Sequence, residues 1–155
     1  MPTQLPYAAD AEESLAFDEL EVLKNQYEKE QAQKHVSTQT KFNYAWGMVK
    51  SPKRELQMEG IKLLQEIYAS DTDYRRECSY YIALGYYKLG NYGHARRFND
   101  LLLHVEPSNM QAQSLKALID QAETREGYIG IGLVAGAAAL GGLVVASLYK
   151  QARRR

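Results

Sequence analysis

Residues 86–109 read YYKLGNYGHARRFNDLLLHVEPSN, and their punctuation decides the fold. Gly90-Asn91 is a helix stop, because glycine takes the left-handed conformation that closes a helix at little cost. After it, Ala95, Phe98, Leu102 and Val105 recur at three and four residues, the period of one helical face. Pro107 cannot continue that helix. The stretch therefore predicts the end of one helix, a tight turn and a complete second helix.

Working outward, the same period recurs along most of the chain. Leu20, Leu23 and Tyr27 place a first helix over 15–33. Thr40 to Lys50 is a second, stopped at Ser51-Pro52 because the residue before proline avoids the helical region. A third runs over 55–70 with Leu56, Ile61, Leu64 and Ile67 as its stripe. Residues 74–89 and 92–105 are the fourth and fifth. Residues 108–126 are the sixth, with Ser108 placed to cap it. No alternating β-branched run bounded by turns interrupts them before Gly127. The expected fold is all-α, a six-helix bundle.

The fourth and fifth helices form a repeat unit. Tyr86, Gly90, Tyr92, Ala95, Leu102 and Pro107 stand where a 34-residue tetratricopeptide repeat puts its packing residues. Ser79 replaces the usual large aromatic. The second and third helices repeat the pattern more faintly: Ala45-Trp46-Gly47 parallels Ala83-Leu84-Gly85, and Gly60 stands where Ala95 does. Two tandem helix pairs follow, with the sixth helix as the solvating cap that such arrays require.

In such an array the first helix of each pair lines a concave face. The register puts Gln39, Phe42, Trp46 and Val49 there from one pair, and Glu77, Tyr80, Leu84 and Tyr87 from the other. Chaperone-binding arrays place lysine and asparagine on that face to clamp a carboxylate; this lining is mostly aromatic and aliphatic. Two readings stand: Phe42, Trp46 and Tyr80 are plain core, or they form a groove for an amphipathic helix or extended peptide. Residues 1–14 are too polar to build core and read as a flexible arm, with Leu5 and Tyr7 as its apolar anchors. Such an arm either stays disordered or lies in the groove.

From Gly127 to Tyr149 there are 23 residues without a charge. As a helix they reach about 34 Å, enough to cross a bilayer core of about 30 Å. Tyr128 and Tyr149 stand at the two boundaries, where amphipathic rings prefer to sit. Six glycines argue against a soluble helix, each costing nearly 1 kcal/mol relative to alanine. Gly130, Gly132 and Ala135 match a dinucleotide-binding spacing, but the acidic residue expected about 20 positions on is missing. The segment reads as a transmembrane tail anchor, since only residues 150–155 follow and no secretory signal opens the chain. Lys150, Arg153, Arg154 and Arg155 form a basic tail, which by an empirical targeting rule favours the mitochondrial outer membrane or peroxisomes. The domain plan is thus an arm (1–14), a cytosolic helical domain (15–126), an anchor (127–149) and the basic tail (150–155). Gly132 and Gly136 are spaced to let two spans pack into a homo-oligomer, although so glycine-rich a segment produces this spacing by chance.

Composition narrows the function. All 19 acidic residues but only 15 basic ones precede Gly127, giving about −4 before the anchor and +4 after it. That is no nucleic-acid footprint. The single cysteine, Cys78, excludes an internal disulfide and suits the reducing cytosol. His35, His94 and His104 are scattered, so no metal site is expected. The basic pairs Lys53-Arg54, Arg75-Arg76 and Arg96-Arg97 read as solvated. No P-loop, GxSxG or HExxH occurs, and neither a cofactor nor catalysis is expected.

The stretches TKFNYAWGMVKS, GIKLLQEIY, RRECSYYIALGYYKLGNYGHARRF and LLLHVEPSN make the chain resemble the mitochondrial fission 1 family, across roughly residues 38–126 and the anchor. The resemblance implies two tetratricopeptide-like repeats in the cytosol, anchored in the outer mitochondrial membrane and in peroxisomes. It further implies recruitment of the fission machinery, a dynamin-related GTPase, in fungi through an intermediary adaptor. The alternative is a tail-anchored docking receptor for chaperones or preproteins, which the missing carboxylate clamp disfavours.

Overall fold

The structure is a computed structural model that describes residues 4–13 and 15–130. All its regular elements are helical: α1 (Ala8–Glu12), α2 (Phe17–Ala32), α3 (Thr38–Lys50), α4 (Arg54–Ser70), a short 3₁₀ turn (Thr72–Tyr74), α5 (Arg75–Lys88), α6 (Tyr92–Val105) and α7 over 110–130. No strand occurs among the described residues. Five of the expected helices reappear within a few residues of their expected ends, and the sixth runs longer. The seventh element, α1, was not expected.

The helix ends show why the chain folds this way locally. Ser37 Oγ accepts the Thr40 amide at 3.1 Å and starts α3. Gly90, at φ +77°, closes α5 with the paired bonds of a Schellman turn, Asn91 N to Tyr86 O at 2.9 Å and Gly90 N to Tyr87 O at 3.0 Å. For α7 the cap is Asn109 rather than Ser108, its Oδ1 accepting the Ala112 amide at 3.0 Å.

The described residues fall into two units, divided between residues 119 and 120. In the first, α3 packs on α4 and α5 on α6, as two helix pairs. Gly60 permits the first pairing: a Cβ there would lie 2.5 Å from the Ala45 carbonyl oxygen. Ala45, Met48, Leu64, Ile67, Ile82, Ala83, Ala95 and Leu102 fill the core, with Leu115 and Ile119 of α7. Val105, expected inward, is 72% exposed: it ends α6, beyond the last turn that packs. Asn99 is buried and donates to the Ala112 carbonyl at 2.8 Å, tying α6 to the start of α7. Arg76, at the start of α5, holds Glu106 at the end of α6 with two parallel bonds from Nε and Nη2, the latter at 3.0 Å.

α2 buries no residue completely; Leu20 and Leu23 approach Gly47, and Tyr27 lies 5.1 Å from Tyr44. Its end is fastened by Glu30, which accepts from the Ser37 amide at 3.0 Å, Thr40 Oγ1 at 2.8 Å and Gln26 Nε2 at 2.6 Å. These donors, the Ser37 amide foremost, hold the Glu30 carboxyl down to about 2 from its ordinary 4.5. Because the folded value lies below the unfolded one, this contact stabilises fully above the ordinary value and is lost as pH falls toward 2. Glu30→Gln therefore melts below the unsubstituted chain at neutral pH. The gap closes in acid, as thermal melts at pH 7 and near pH 2 would show.

In the second unit the described residues, 120–130, are helical, with Tyr128 and Ile129 exposed. Among the described residues no helix is long and apolar enough to cross a membrane. The anchor expected over 127–149 falls outside them beyond residue 130, as do Gly132, Gly136, Lys150, Arg153, Arg154 and Arg155.

Candidate protein-binding groove

Helices α3 and α5 supply the residues that the repeat register assigns to one face. Phe42, Val49, Tyr80 and Leu84 are buried, while Trp46 and Tyr87 are half-buried and pack against the same cluster. The face is joined by a residue the register did not select. The Tyr81 ring stands edge-on to Trp46, with centroids 4.4 Å apart, and to Phe42 at 5.0 Å. Adjacent tyrosines were its only signal, since Tyr80 and Tyr81 lie about 100° apart on a helix and either can face the neighbour. A recess of about 240 Å³ opens beside Phe42, lined by Gln39, Tyr74, Glu77 and Tyr81. Tyr74 closes one side, its hydroxyl donating to Gln39 Oε1 at 3.0 Å.

An open lining does not survive as expected, because Val49, Tyr80 and Leu84 are 1%, 0% and 2% exposed. The cover is the arm. Leu5, Ala8 and Ala11 are buried in the same cluster as Phe42, Val49, Tyr80 and Leu84. The described part of the arm, residues 4–13, thus packs on the domain through Leu5, while Tyr7, expected as an anchor, is 38% exposed. The missed signal was spacing: Leu5, Ala8 and Ala11 recur every three residues, close enough to helical period to share a face. Two hydrogen bonds fix the arm's backbone. Tyr80 Oη donates to the Pro6 carbonyl at 2.6 Å, and Lys88 Nζ to the Ala11 carbonyl at 3.4 Å. Lys88 also donates to the Lys50 carbonyl at 2.9 Å. Burial raises the Tyr80 phenol well above its ordinary value. Burial, and then the neighbouring Lys50 charge, lowers the Lys88 ammonium.

Chemically the face offers apolar and aromatic surface and donors for main-chain carbonyls. Cys78 lies within α5 at 0% exposure, its thiol pushed up to about 12 by burial, and so is no nucleophile. No cluster of metal-ligating side chains occurs among the described residues. Of the basic pairs, Lys53, Arg54, Arg75 and Arg97 are exposed as expected, while some members also reach protein partners. Arg75 donates to the Tyr68 carbonyl at 3.1 Å and lies over its ring, Arg76 is held by Glu106, and Arg54 reaches the Leu89 carbonyl at 3.3 Å.

Comparison with known proteins gives a consistent family. Residues 39–71 match the Fis1 N-terminal tetratricopeptide repeat and residues 76–128 the Fis1 C-terminal tetratricopeptide repeat. The mitochondrial fission 1 protein of Mycosarcoma maydis is 59% identical over 150 residues, covering 97% of this chain and 99% of that one. That of Tuber borchii is 53% identical over 156 residues, covering 100% and 99%. Among solved structures, the fission protein Fis1 from Saccharomyces cerevisiae is 36% identical with a TM-score of 0.77, covering 83% of this chain and 99% of that one. Yeast Fis1 in complex with an Mdv1 fragment containing N-terminal extension and coiled-coil domains matches at 36% identity and a TM-score of 0.76, covering 82% and 99%. Yeast Fis1 complexed with a fragment of yeast Caf4 matches at 40% identity and 0.59, covering 63% and 99%.

Proposed function

The chain belongs to the mitochondrial fission 1 family, and from that premise we propose that it is a tail-anchored adaptor that recruits fission factors to the mitochondrial outer membrane and the peroxisomal membrane. The factors are a dynamin-related GTPase and the intermediary adaptor that joins it. They dock on the face built by Phe42, Trp46, Val49, Tyr80, Leu84 and Tyr87. No catalysis and no cofactor enter this reading.

One observation carries the docking site. An aromatic and aliphatic face is covered by a segment of the same chain that, among the described residues, contributes only Leu5, Ala8 and Ala11 as buried side chains. A cover so small is the part of the fold most readily exchanged for a partner's helix, because few buried apolar contacts mean a low local opening free energy. The relatives solved with fragments of Mdv1 and Caf4 support an adaptor as the partner. The test is a titration of the full chain, in detergent, with a fluorescent Mdv1 fragment of N-terminal extension and coiled coil. Binding that Tyr87→Glu abolishes, with the helical signal intact, supports the reading; no binding, or binding indifferent to Tyr87, refutes it.

Location is proposed on the anchor and the basic tail. A fluorescent fusion in which Arg153, Arg154 and Arg155 are replaced by serine loses its confinement to mitochondria and peroxisomes and appears on other membranes. A fusion that still marks mitochondria and peroxisomes alone contradicts the role given to the tail charge.

A further inference from the structure

The arm's grip has a chemistry that points to the kind of segment the face accepts. Tyr80 and Lys88 lie eight residues apart on α5, about 12 Å along the helix. Both donate to main-chain carbonyls of the arm and neither bond involves an arm side chain. Pro6 precedes α1 and Ala11 lies in its last turn, so the two donors hold the short helix at its two ends. The Ala11 carbonyl is one of those a helix leaves without an internal partner. Lys50 ends α3, and its carbonyl is in the same position. One ammonium therefore serves the C-terminal ends of two helices, where positive charge is favoured. Meanwhile the arm's Asp10, Glu12 and Glu13 are all exposed. What enters the cluster is one large side chain, Leu5, followed by small ones at Ala8 and Ala11.

We infer that Tyr80 and Lys88 form a main-chain clasp that selects a short helix with a large apolar side chain followed by small ones three and six positions on. A partner that displaces the arm presents a segment of that pattern, ending at Lys88. This rests on the reading of the face as the docking site, and its test is independent of adaptor binding.

The experiment is amide hydrogen exchange on the full chain in detergent micelles, comparing the arm with α4 and α6. Lys88→Met is expected to speed exchange of arm amides over residues 8–12 by about tenfold or more, the scale of a lost charge-assisted bond. Amides of α4 and α6 stay within about twofold, and Lys88→Arg, which keeps the charge, stays close to the unsubstituted chain. Ala8→Leu with Ala11→Leu releases the arm as well. Tyr7→Ser with Ala9→Ser, which keeps the pattern and changes only its outer face, leaves it protected. Wild-type exchange of the arm in Lys88→Met overturns the clasp, as does equal acceleration in every helix. An arm that stays protected with two leucines, or is released by the two serines, overturns the pattern.

Discussion

Leu84→Glu lowers the melting temperature of the full chain by about 10 °C or more and costs about 3–5 kcal/mol, the scale of an unpaired buried charge. Leu84 is 2% exposed in the same cluster as Val49, Ile61 and Tyr80. Lys88, one turn on, already donates to the Ala11 and Lys50 carbonyls, so an ion pair with the new carboxylate would form only by competing with those bonds. Tyr87→Glu, at a half-buried position, costs far less and leaves the helical signal in place. Circular dichroism melts of the two variants separate a structural position from a docking position on one helix. Equal, small losses in both would mean that the face is open and that the arm does not cover it.

Gly60→Ala is the second large effect. Alanine is the better helix former by nearly 1 kcal/mol, so an exposed glycine in α4 would gain from the change. At Gly60 the new Cβ would stand 2.5 Å from the Ala45 carbonyl oxygen and 3.0 Å from the Val49 amide nitrogen, both of them backbone atoms that no rotamer change can move. α3 and α4 must part to admit it, and overpacking of this kind costs about 1–3 kcal/mol. Set against the propensity gain, a net loss of about 1 kcal/mol in denaturant unfolding is expected. Gly93 supplies the contrast, since a Cβ there meets nothing within 4 Å and Gly93→Ala should be neutral or mildly stabilising. If the two alanines behave alike, close helix approach is not what the glycine in the first pair provides.

How much of this was legible follows from how each element is specified. Helices α3 to α6 are bounded by Ser51-Pro52, Gly90-Asn91 and Pro107, residues whose backbone preferences act locally, and their apolar stripes are long enough to show a period. α1 has five residues, and the spacing of Leu5, Ala8 and Ala11 is too short a run to stand out as a period. Its Ala8 and Ala11 carry so little apolar surface that only the face they meet makes them core. The register on α5 selects Tyr80 and Leu84, both of them buried, but is silent on Tyr81, because a helix buried from Cys78 to Gly85 has no outer face to betray the inner one. Val105 shows the opposite failure, a periodic position on a helix that ends before anything covers it. The donors that hold the arm were out of reach, since Tyr80 and Lys88 bond to carbonyls 74 and 77 residues away and a carbonyl leaves no trace in sequence.

The central claim is that the face of α3 and α5 is the docking site and that the arm and the partner compete for it. The most direct test is the affinity of the fluorescent adaptor fragment for the unsubstituted full chain and for Leu5→Glu. Leu5 is the arm's one large anchor, and its burial contributes about 1.5–3 kcal/mol, so the substitution raises the open population by about tenfold or more. The account predicts a dissociation constant lower by about that factor in Leu5→Glu, with the helical signal of α3 to α6 unchanged. An affinity that is unchanged or weaker in a folded Leu5→Glu chain would contradict it.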